Sequence, residues 1–248
     1  MPRAASPEGS TPLPDARHDA KQADLVQAMF DRVAPRYDLL NAVLSFGQDA
    51  RWRGVAAAAA DPAGATVLDL AAGTGALSRD LIVRGARQVI ALDLSWNMLA
   101  EGERRLASAD VPSVSWVNAD ARRLPLAHDS VDAVTIGFGL RNVPAPNRAI
   151  AEFARVVRPG GRLVVLEFAA PTWLPFRKLY TEYLTRALPQ VARLFSPSPE
   201  AYRYLAESIR AWPTRRTIAD WMRTAGWTDV QVRDLSGGIV AVHRAVLG

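Results

Sequence analysis

Five short apolar segments recur along the middle of the chain, and stretches with the period of an α-helix separate them. The apolar segments span residues 66–70, 89–93, 114–117, 133–136 and 163–166, and the helical stretches span residues 77–84, 96–107 and 147–157. Short apolar strands that alternate with helices are typical of a parallel sheet covered by helices on both faces. The sequence therefore predicts an α/β fold built on a doubly wound sheet.

The segment after the fifth strand departs from this alternation. Residues 173–195 form a long basic amphipathic stretch. A helix is predicted to begin at Ser198 and Pro199, where the serine caps the helix and the proline occupies its first turn. Another helix is predicted over residues 217–224. We therefore expect residues 173–213 to form a helical insertion in the sheet domain.

Two further strands are predicted near the end of the chain, over residues 230–232 and 239–243. Gly237 and Gly238 separate them, which is a signal for a β-hairpin. The predicted sheet therefore has seven strands, and its last strand is antiparallel.

The N-terminal part of the chain precedes this sheet. Residues 1–20 are rich in proline and contain no apolar stretch, so we expect a disordered tail. Residues 21–60 repeat apolar side chains with the helical period, which predicts N-terminal helices. Residues 21–248 are expected to form a single domain. No apolar run approaches the roughly 18 residues that a membrane span requires, so we expect a cytoplasmic protein.

The composition excludes several kinds of site. The chain has no cysteine, which excludes disulfides, cysteine-ligated zinc and thiol nucleophiles. Its three histidines are scattered along the chain, so no metal site is expected. The formal net charge of +5 arises between residues 173 and 233. A solvated helical face explains this excess better than a surface for nucleic acid.

A glycine-rich loop follows the first predicted strand and leads directly into a helix. Asp69 lies near the end of the strand, and the loop contains Gly73, Thr74 and Gly75, whose glycines let the backbone approach a ligand at the carboxyl edge of the sheet. Ser78 occupies the third glycine position of the dinucleotide-binding fingerprint. Such a glycine pair also serves simply to connect a strand tightly to a helix. By itself, the loop therefore indicates a nucleotide-type site only weakly.

Two carboxylates follow the next two strands. Asp93 ends the second strand, where a carboxylate accepts hydrogen bonds from a ribose diol, although the same position also suits a helix cap. Asp120 and Ala121 follow the third strand, where the acid suits the exocyclic amine of adenine or serves as a turn residue. No phosphate-binding lysine follows the glycine loop. The three strand ends therefore predict an adenosine pocket without a phosphate site, which fits S-adenosylmethionine.

Longer blocks of residues resemble a known enzyme family. The most specific blocks are Phe-Gly-Leu-Arg-Asn-Val at 138–143 and Tyr-Leu-Ala-Glu-Ser-Ile at 204–209, and residues 30–38, 45–47 and 237–244 match as well. They are similar to the class I C-methyltransferases of menaquinone and ubiquinone biosynthesis. Residues 208–213, together with the arginine-rich and alanine-rich composition, are most similar to the actinobacterial members that act on demethylmenaquinone. The resemblance covers nearly everything after residue 22. It implies a Rossmann-like fold and methyl transfer from S-adenosylmethionine to a ring carbon of a polyprenyl quinol.

The resemblance also implies site residues. Gly137, where the family usually has serine, is expected near the cofactor without the hydroxyl contact. Arg141 is expected to stabilise a ring oxyanion, Asn142 to orient the ring oxygen, and Tyr37 to donate or relay a proton. Tyr37 also lies on an apolar helical stripe that suits the core. We expect His243, on the last strand, to be buried rather than catalytic.

The lipid substrate implies a surface that collects it. In residues 173–195, aromatic and aliphatic side chains alternate with Arg177, Lys178, Arg186 and Arg193. We expect a helical lid whose basic side contacts anionic headgroups at the inner face of the cytoplasmic membrane. Core packing or a homodimer contact is the alternative use of these aromatic residues.

Three other functions fit part of the sequence. A nicotinamide-dependent oxidoreductase uses a similar sheet, but Ser78 and the acids Asp69 and Asp120 argue against it. The arginines suggest a nucleic-acid methyltransferase, but neither a base-flipping motif nor a target-recognition domain accompanies them. A binding protein without catalytic activity is the third alternative, because Gly137 replaces the serine that is usual in the family. The choice between a naphthoquinol and a benzoquinol ring comes from resemblance alone.

Overall fold

A computed structural model describes residue 45 and residues 47–107, 114–187 and 199–248 of the chain. The central sheet consists of β1 (Thr66–Leu70), β2 (Gln88–Asp93), β3 (Val114–Asn118), β4 (Val131–Gly137), β5 (Val157–Phe168), β6 (Trp227–Leu235) and β7 (Val240–Leu247). The strand order is β3-β2-β1-β4-β5-β7-β6. β7 is antiparallel to both of its neighbours, whereas the other pairs are parallel. The predicted doubly wound, seven-stranded sheet with an antiparallel last strand is confirmed.

Helices precede and connect these strands. The helices of the described residues are α1 (Gln48–Ala59), α2 (Ala76–Val83), α3 (Trp96–Ala107), α4 (Pro146–Val156), α5 (Leu174–Glu182), α6 (Pro199–Ala211) and α7 (Arg215–Thr224). A π-helical turn, Tyr183–Ala187, follows α5 directly. Among the helices described, none has the length and apolar character that crossing a membrane requires. α1 belongs to the predicted N-terminal helices, whereas the predicted tail and Tyr37 lie outside the described residues.

The two faces of the sheet pack against different helices, because successive side chains of a strand point to opposite faces. In β1, Leu68 belongs to the cluster that contains Phe153 of α4 and Met222 of α7. Its neighbour Val67 belongs to a second cluster, with Trp52 of α1. All five side chains of β1 are buried, which is typical of a central strand in a sheet covered on both faces.

β5 is longer than predicted and contains an irregularity. Val131 of β4 pairs with Val157, whereas Ala133 pairs with Arg162, so the register shifts between the two pairs. The sequence Arg-Pro-Gly-Gly at 158–161 lies in this gap. A proline without an N–H and a glycine with φ of 77° permit such a bulge.

The carboxyl ends of the parallel strands meet at one edge of the sheet. Leu70 of β1 is level with Leu92 of β2 and with Ile136 of β4, and Asp93 is level with Asn118 of β3. The strand order changes direction at β1, because β2 and β3 lie on one side of it and β4 and β5 on the other. A crevice forms at such a switch point, and ligands of doubly wound sheets bind there.

Candidate active site

A cleft opens at this edge and brings together most of the predicted site residues. Its lining includes Asp69, Gly73, Thr74, Asp93, Asp120, Ala121, Gly137 and Asn142. Gly75 and Arg141 adjoin the lining without forming part of it. The cleft therefore joins residues that follow four different strands.

The two glycines of the loop after β1 serve different purposes. Gly73 has φ of 55°, and no atom lies within 4 Å of the position where a Cβ would be, so its backbone faces open space. Gly75 has φ of 75° and is the N-cap residue of α2, and a Cβ there would lie 2.6 Å from the ring of Trp116. Gly73 thus leaves room for a ligand, whereas Gly75 allows close packing.

Asp69 lies beneath this loop and is almost completely buried. Its carboxylate accepts hydrogen bonds from the Ser78 Oγ at 2.6 Å and the Thr135 Oγ1 at 2.8 Å. Burial raises the pKa of Asp69 to about 6, and the charge of Asp93 adds to the rise, while the two hydroxyl groups oppose it. The serine at the third glycine position therefore has a role, which is to bind this buried acid.

Asp93 connects the loop after β1 to the start of α3. Its Oδ2 accepts the backbone N–H of Gly73 and its Oδ1 accepts that of Ser95, both at 2.8 Å. The Ser95 Oγ, in turn, accepts the N–H of Met98 at 3.1 Å and so caps α3. Asp93 thus holds the glycine loop and the start of α3 at the point where its carboxylate lines the cleft.

Asp120 forms an ion pair that the sequence did not reveal. The Arg122 Nη2 lies 2.7 Å from the Asp120 Oδ2, and the Arg122 Nε donates to the same carboxylate. Although burial raises the pKa of Asp120, the hydrogen bonds and charge of Arg122 outweigh it and hold that pKa below its ordinary value. The backbone N–H of Arg122 also donates to Asp120, so the predicted turn role applies as well.

Arg141 lies behind the cleft in a buried ion pair. Its Nη1 donates to the Glu167 Oε1 at 3.0 Å and to the carbonyl oxygen of Phe138. Its guanidinium carbon lies 5.2 Å from the ring centroid of Phe168. The Arg141 Nε is buried and has no hydrogen-bond partner among the described residues. Buried donors almost always have a partner, so this nitrogen has capacity for a ligand or water.

Asn142 joins the cleft to the helical insertion. The hydroxyl of Tyr204, on α6, donates to the Asn142 Oδ1 at 3.1 Å. Burial raises the pKa of Tyr204, the charge of Glu167 adds to the rise, and the charge of Arg141 opposes it. Tyr204 therefore stays a hydrogen-bond donor, and the amide nitrogen of Asn142 keeps its own donors for another group.

Two residues of the cleft have a left-handed backbone without being glycine. Ala71 has φ of 49° and Phe138 has φ of 56°. Such conformations are strained and concentrate at functional sites. Next to Phe138, a Cβ at Gly137 would lie 3.2 Å from the Leu77 Cδ2, so Leu77 occupies much of the space beside the missing serine.

His243 lies on β7, outside the lining of the cleft. Its Nε2 is 3.2 Å from the carbonyl oxygen of Arg215, and burial lowers its pKa to about 4. The expectation of a buried, hydrogen-bonded ring is confirmed.

Known proteins resemble the chain over nearly its whole length. The model of the ubiE/COQ5 methyltransferase family matches residues 17–247. The demethylmenaquinone methyltransferase of Renibacterium salmoninarum is 54% identical over 227 residues, which cover 91% of this chain and 93% of the relative. A protein of the same name from Streptomyces avermitilis is 51% identical over 225 residues, which cover 90% of this chain and 95% of the relative.

Solved structures share the fold at lower sequence identity. A SAM-dependent methyltransferase from Aquifex aeolicus has a TM-score of 0.55 and 18% identity, and the match covers 77% of this chain and 86% of that protein. At this identity the similarity supports the Rossmann-like architecture alone.

Proposed function

Because the chain belongs to the ubiE/COQ5 methyltransferase family, we propose that it transfers a methyl group from S-adenosylmethionine to a ring carbon of demethylmenaquinol. The observation that carries this proposal is the 54% identity to a demethylmenaquinone methyltransferase over 91% of the chain. The cleft supports the proposal, because carboxylates after β2 and β3 suit the hydroxyl and amine groups of an adenosine.

The cleft has the donors and acceptors that the methyl donor requires. When bound, S-adenosylmethionine supplies an electrophilic methyl group on its sulfonium. We assign ribose recognition to Asp93, because it ends β2 and its carboxylate lines the cleft, where an acid of this fold binds a ribose diol. We assign adenine recognition to Asp120 and Ala121. The remaining proposed cofactor residues are Asp69, Gly73, Thr74, Gly75 and Gly137.

The acceptor ring needs a stabilised oxyanion, because negative charge on the ring oxygen makes the adjacent carbon nucleophilic. We assign the Nε–H of Arg141 to this oxyanion, since that buried donor has no partner among the described residues. The guanidinium stays protonated and therefore does not act as the base. The amide nitrogen of Asn142 is available to orient the ring oxygen, because Tyr204 binds the other amide atom. Tyr37 keeps its predicted role as a proton donor or relay.

The helical insertion supports contact with a lipid surface. Trp173, Leu174 and Leu179 have 68%, 63% and 63% of their surface exposed. Lys178 and Arg186 are exposed on the same segment. Apolar side chains among basic ones suit the boundary between anionic headgroups and acyl chains. Transient contact with the inner face of the cytoplasmic membrane is therefore part of the proposal, and a homodimer contact is the competing use of this surface.

Methyl transfer to a reduced, short-chain demethylmenaquinone analogue tests the function. We expect mass spectrometry to detect one methyl group in place of a ring hydrogen, and no such product without S-adenosylmethionine. A reduced benzoquinone analogue is the matched acceptor. Methylation of the benzoquinol alone would move the function to the ubiquinone pathway. Tight binding of NADH without binding of S-adenosylmethionine, or cofactor binding without any product, would contradict the proposal.

A further inference from the structure

Arg53 is a cleft residue that none of the sequence motifs includes. It lies on α1 and contributes to the lining together with the glycine loop and the end of β4. α1 packs against α2 and against β4, β5 and β7. Arg53 therefore approaches the cleft from the β4 side, whereas Asp120 and Arg122 follow β3 on the opposite side.

Two carboxylates anchor the Arg53 guanidinium without occupying all of its donors. The Nη1 donates to the Asp49 Oδ2 at 2.5 Å, one helical turn earlier. The Nε lies 3.8 Å from Asp80 on α2, and Asp80 also faces the charges of Arg79 and Arg84. The Arg53 Nε is buried and has no hydrogen-bond partner among the described residues. A buried donor rarely stays unpaired, so this nitrogen marks the place of an acceptor.

The two ends of the cleft differ in the charge of the side chains that line them. The charged side chains in the described part of the lining are Arg53, Arg122, Asp69, Asp93 and Asp120. Arg122 is already held by Asp120 through its Nε and Nη2. A ligand carboxylate is therefore repelled by the acids after β2 and β3, and it finds remaining donors at Arg53, because Asp49 binds only the Nη1 of that guanidinium.

Building on the proposed function, we infer that Arg53 binds the α-carboxylate of the methionine part of S-adenosylmethionine. An adenosine recognised after β2 and β3 leaves the rest of the ligand to extend past β1 towards β4, the side on which Arg53 lies. Guanidinium N–H groups form a planar fork that matches a carboxylate. Arg53 thereby determines which adenosyl compounds bind tightly.

Two ligands that differ only by this carboxylate test the inference. Isothermal titration calorimetry measures the affinity for S-adenosylmethionine and for decarboxylated S-adenosylmethionine. We expect the wild-type protein to bind the first about 10- to 100-fold more tightly. Arg53→Gln should weaken binding of S-adenosylmethionine by that factor and change the affinity for the decarboxylated ligand less than about twofold. The unchanged affinity for the decarboxylated ligand also shows that the variant is folded.

Arg51→Gln is the matched control. Arg51 is exposed on the same helix and lines a separate groove with Arg84 and Arg233, so the variant should behave as the wild type does. Arg53→Lys keeps the charge without the fork and should give an intermediate affinity. Equal weakening of both ligands in Arg53→Gln would overturn the inference, and so would a wild-type protein that does not distinguish them. A wild-type protein that distinguishes them but methylates no quinol would overturn the proposed function and uphold the role of Arg53.

Discussion

The carboxylate of Glu167 binds both the side chain and the backbone N–H of Arg141. The Glu167 Oε1 lies 3.0 Å from the Arg141 Nη1, and the Glu167 Oε2 accepts the backbone N–H of Arg141 at 3.3 Å. The two side chains are 1% and 4% exposed. Because the end of β5 thereby fixes the loop after β4, Glu167 positions both Arg141 and its neighbour Asn142.

Replacing Glu167 should damage the reaction more than cofactor binding. Glu167→Gln keeps the shape of the side chain but leaves the buried guanidinium without a counter-charge, which costs about 3 kcal/mol of stability. We expect the single-turnover rate of methyl transfer to fall about tenfold or more, with affinity for S-adenosylhomocysteine within about threefold of wild type. Urea unfolding and calorimetry measure both effects.

Arg141→Lys is the companion variant, because lysine keeps the charge and loses the planar fork. It should likewise impair methyl transfer far more than cofactor binding. If either variant lost activity and cofactor affinity equally, Arg141 and Glu167 would hold the cofactor loop instead of serving the acceptor ring.

Asp93→Ala should remove most of the cofactor affinity. The substitution deletes the acceptors proposed for the ribose and also those that bind the N–H groups of Gly73 and Ser95. We expect affinity for S-adenosylhomocysteine to fall roughly 100-fold and stability to fall by about 1–2 kcal/mol. Asp93→Asn, which keeps one acceptor, should lie between the wild type and Asp93→Ala. Unchanged calorimetric binding in Asp93→Ala would exclude the ribose assignment.

Gly139→Ala tests how closely the loops after β1 and β4 approach each other. A Cβ at Gly139 would lie 2.3 Å from the Ala71 Cβ, so one of the loops must move. Gly139 has φ of −110°, so the expected loss of about 1–3 kcal/mol and of cofactor affinity comes from the contact and not from backbone strain. Ala71→Gly in the same chain should restore both, because it removes the opposing methyl and suits φ of 49°. Failure of this rescue would mean that the two loops do not meet as described.

Asp69 should make the stability of the protein depend on pH. Its pKa is about 6 in the folded protein against 3.8 ordinarily, so the folded state retains a proton that the unfolded state releases between these values. Stability contributed by this group is therefore lost as pH rises from about 4 to about 6, by about 3 kcal/mol in total. The free energy of unfolding of Asp69→Asn, measured in urea, should therefore rise relative to that of the wild type by about 3 kcal/mol between these pH values. A constant difference between the two proteins would show that Asp69 ionises at its ordinary pKa.

Lipid binding through the segment around α5 should depend on charge. Co-sedimentation with liposomes should increase with anionic lipid, weaken with salt and fall in the double variant Lys178→Glu, Arg186→Glu. These positions are preferable to Arg177, whose Nε donates to the carbonyl oxygen of Pro171. Arg216→Glu on α7, which changes the same kind of exposed charge elsewhere, is the control. Lipid-independent behaviour together with a monomer–dimer shift in the double variant would assign the surface to a homodimer.

The strands could be predicted because each is a short apolar run. The position of Asp93 and Asp120 at the cleft could be predicted because each lies at or just after the end of a strand. The position of β7 between β5 and β6 could not be predicted in the same way. Local periodicity shows that a segment is a strand, but the edge on which it pairs depends on packing between distant segments.

The residues that surround the predicted site were harder to find. Arg53 and Tyr204 lie on helices whose approach to the cleft depends on tertiary packing. Nothing in the sequence distinguishes Arg122 from the other arginines, because its bond to Asp120 depends on the conformation of the turn after β3. Glu167 did carry a signal, because it is a charged residue directly after the apolar run 163–166 of β5, and such a residue needs a partner when it is buried.

The place of β7 in the sheet also determines when the sheet can be completed while the chain is being synthesised. β6 is synthesised before β7, yet β6 pairs with β7, and β7 pairs with β5. A nascent chain that ends between these strands offers β6 no partner, and it leaves the edge of β5 open to strands of other chains. Chaperone binding should therefore persist until residues 240–247 have emerged from the ribosome. Chains truncated within these residues should aggregate, and not only lose activity.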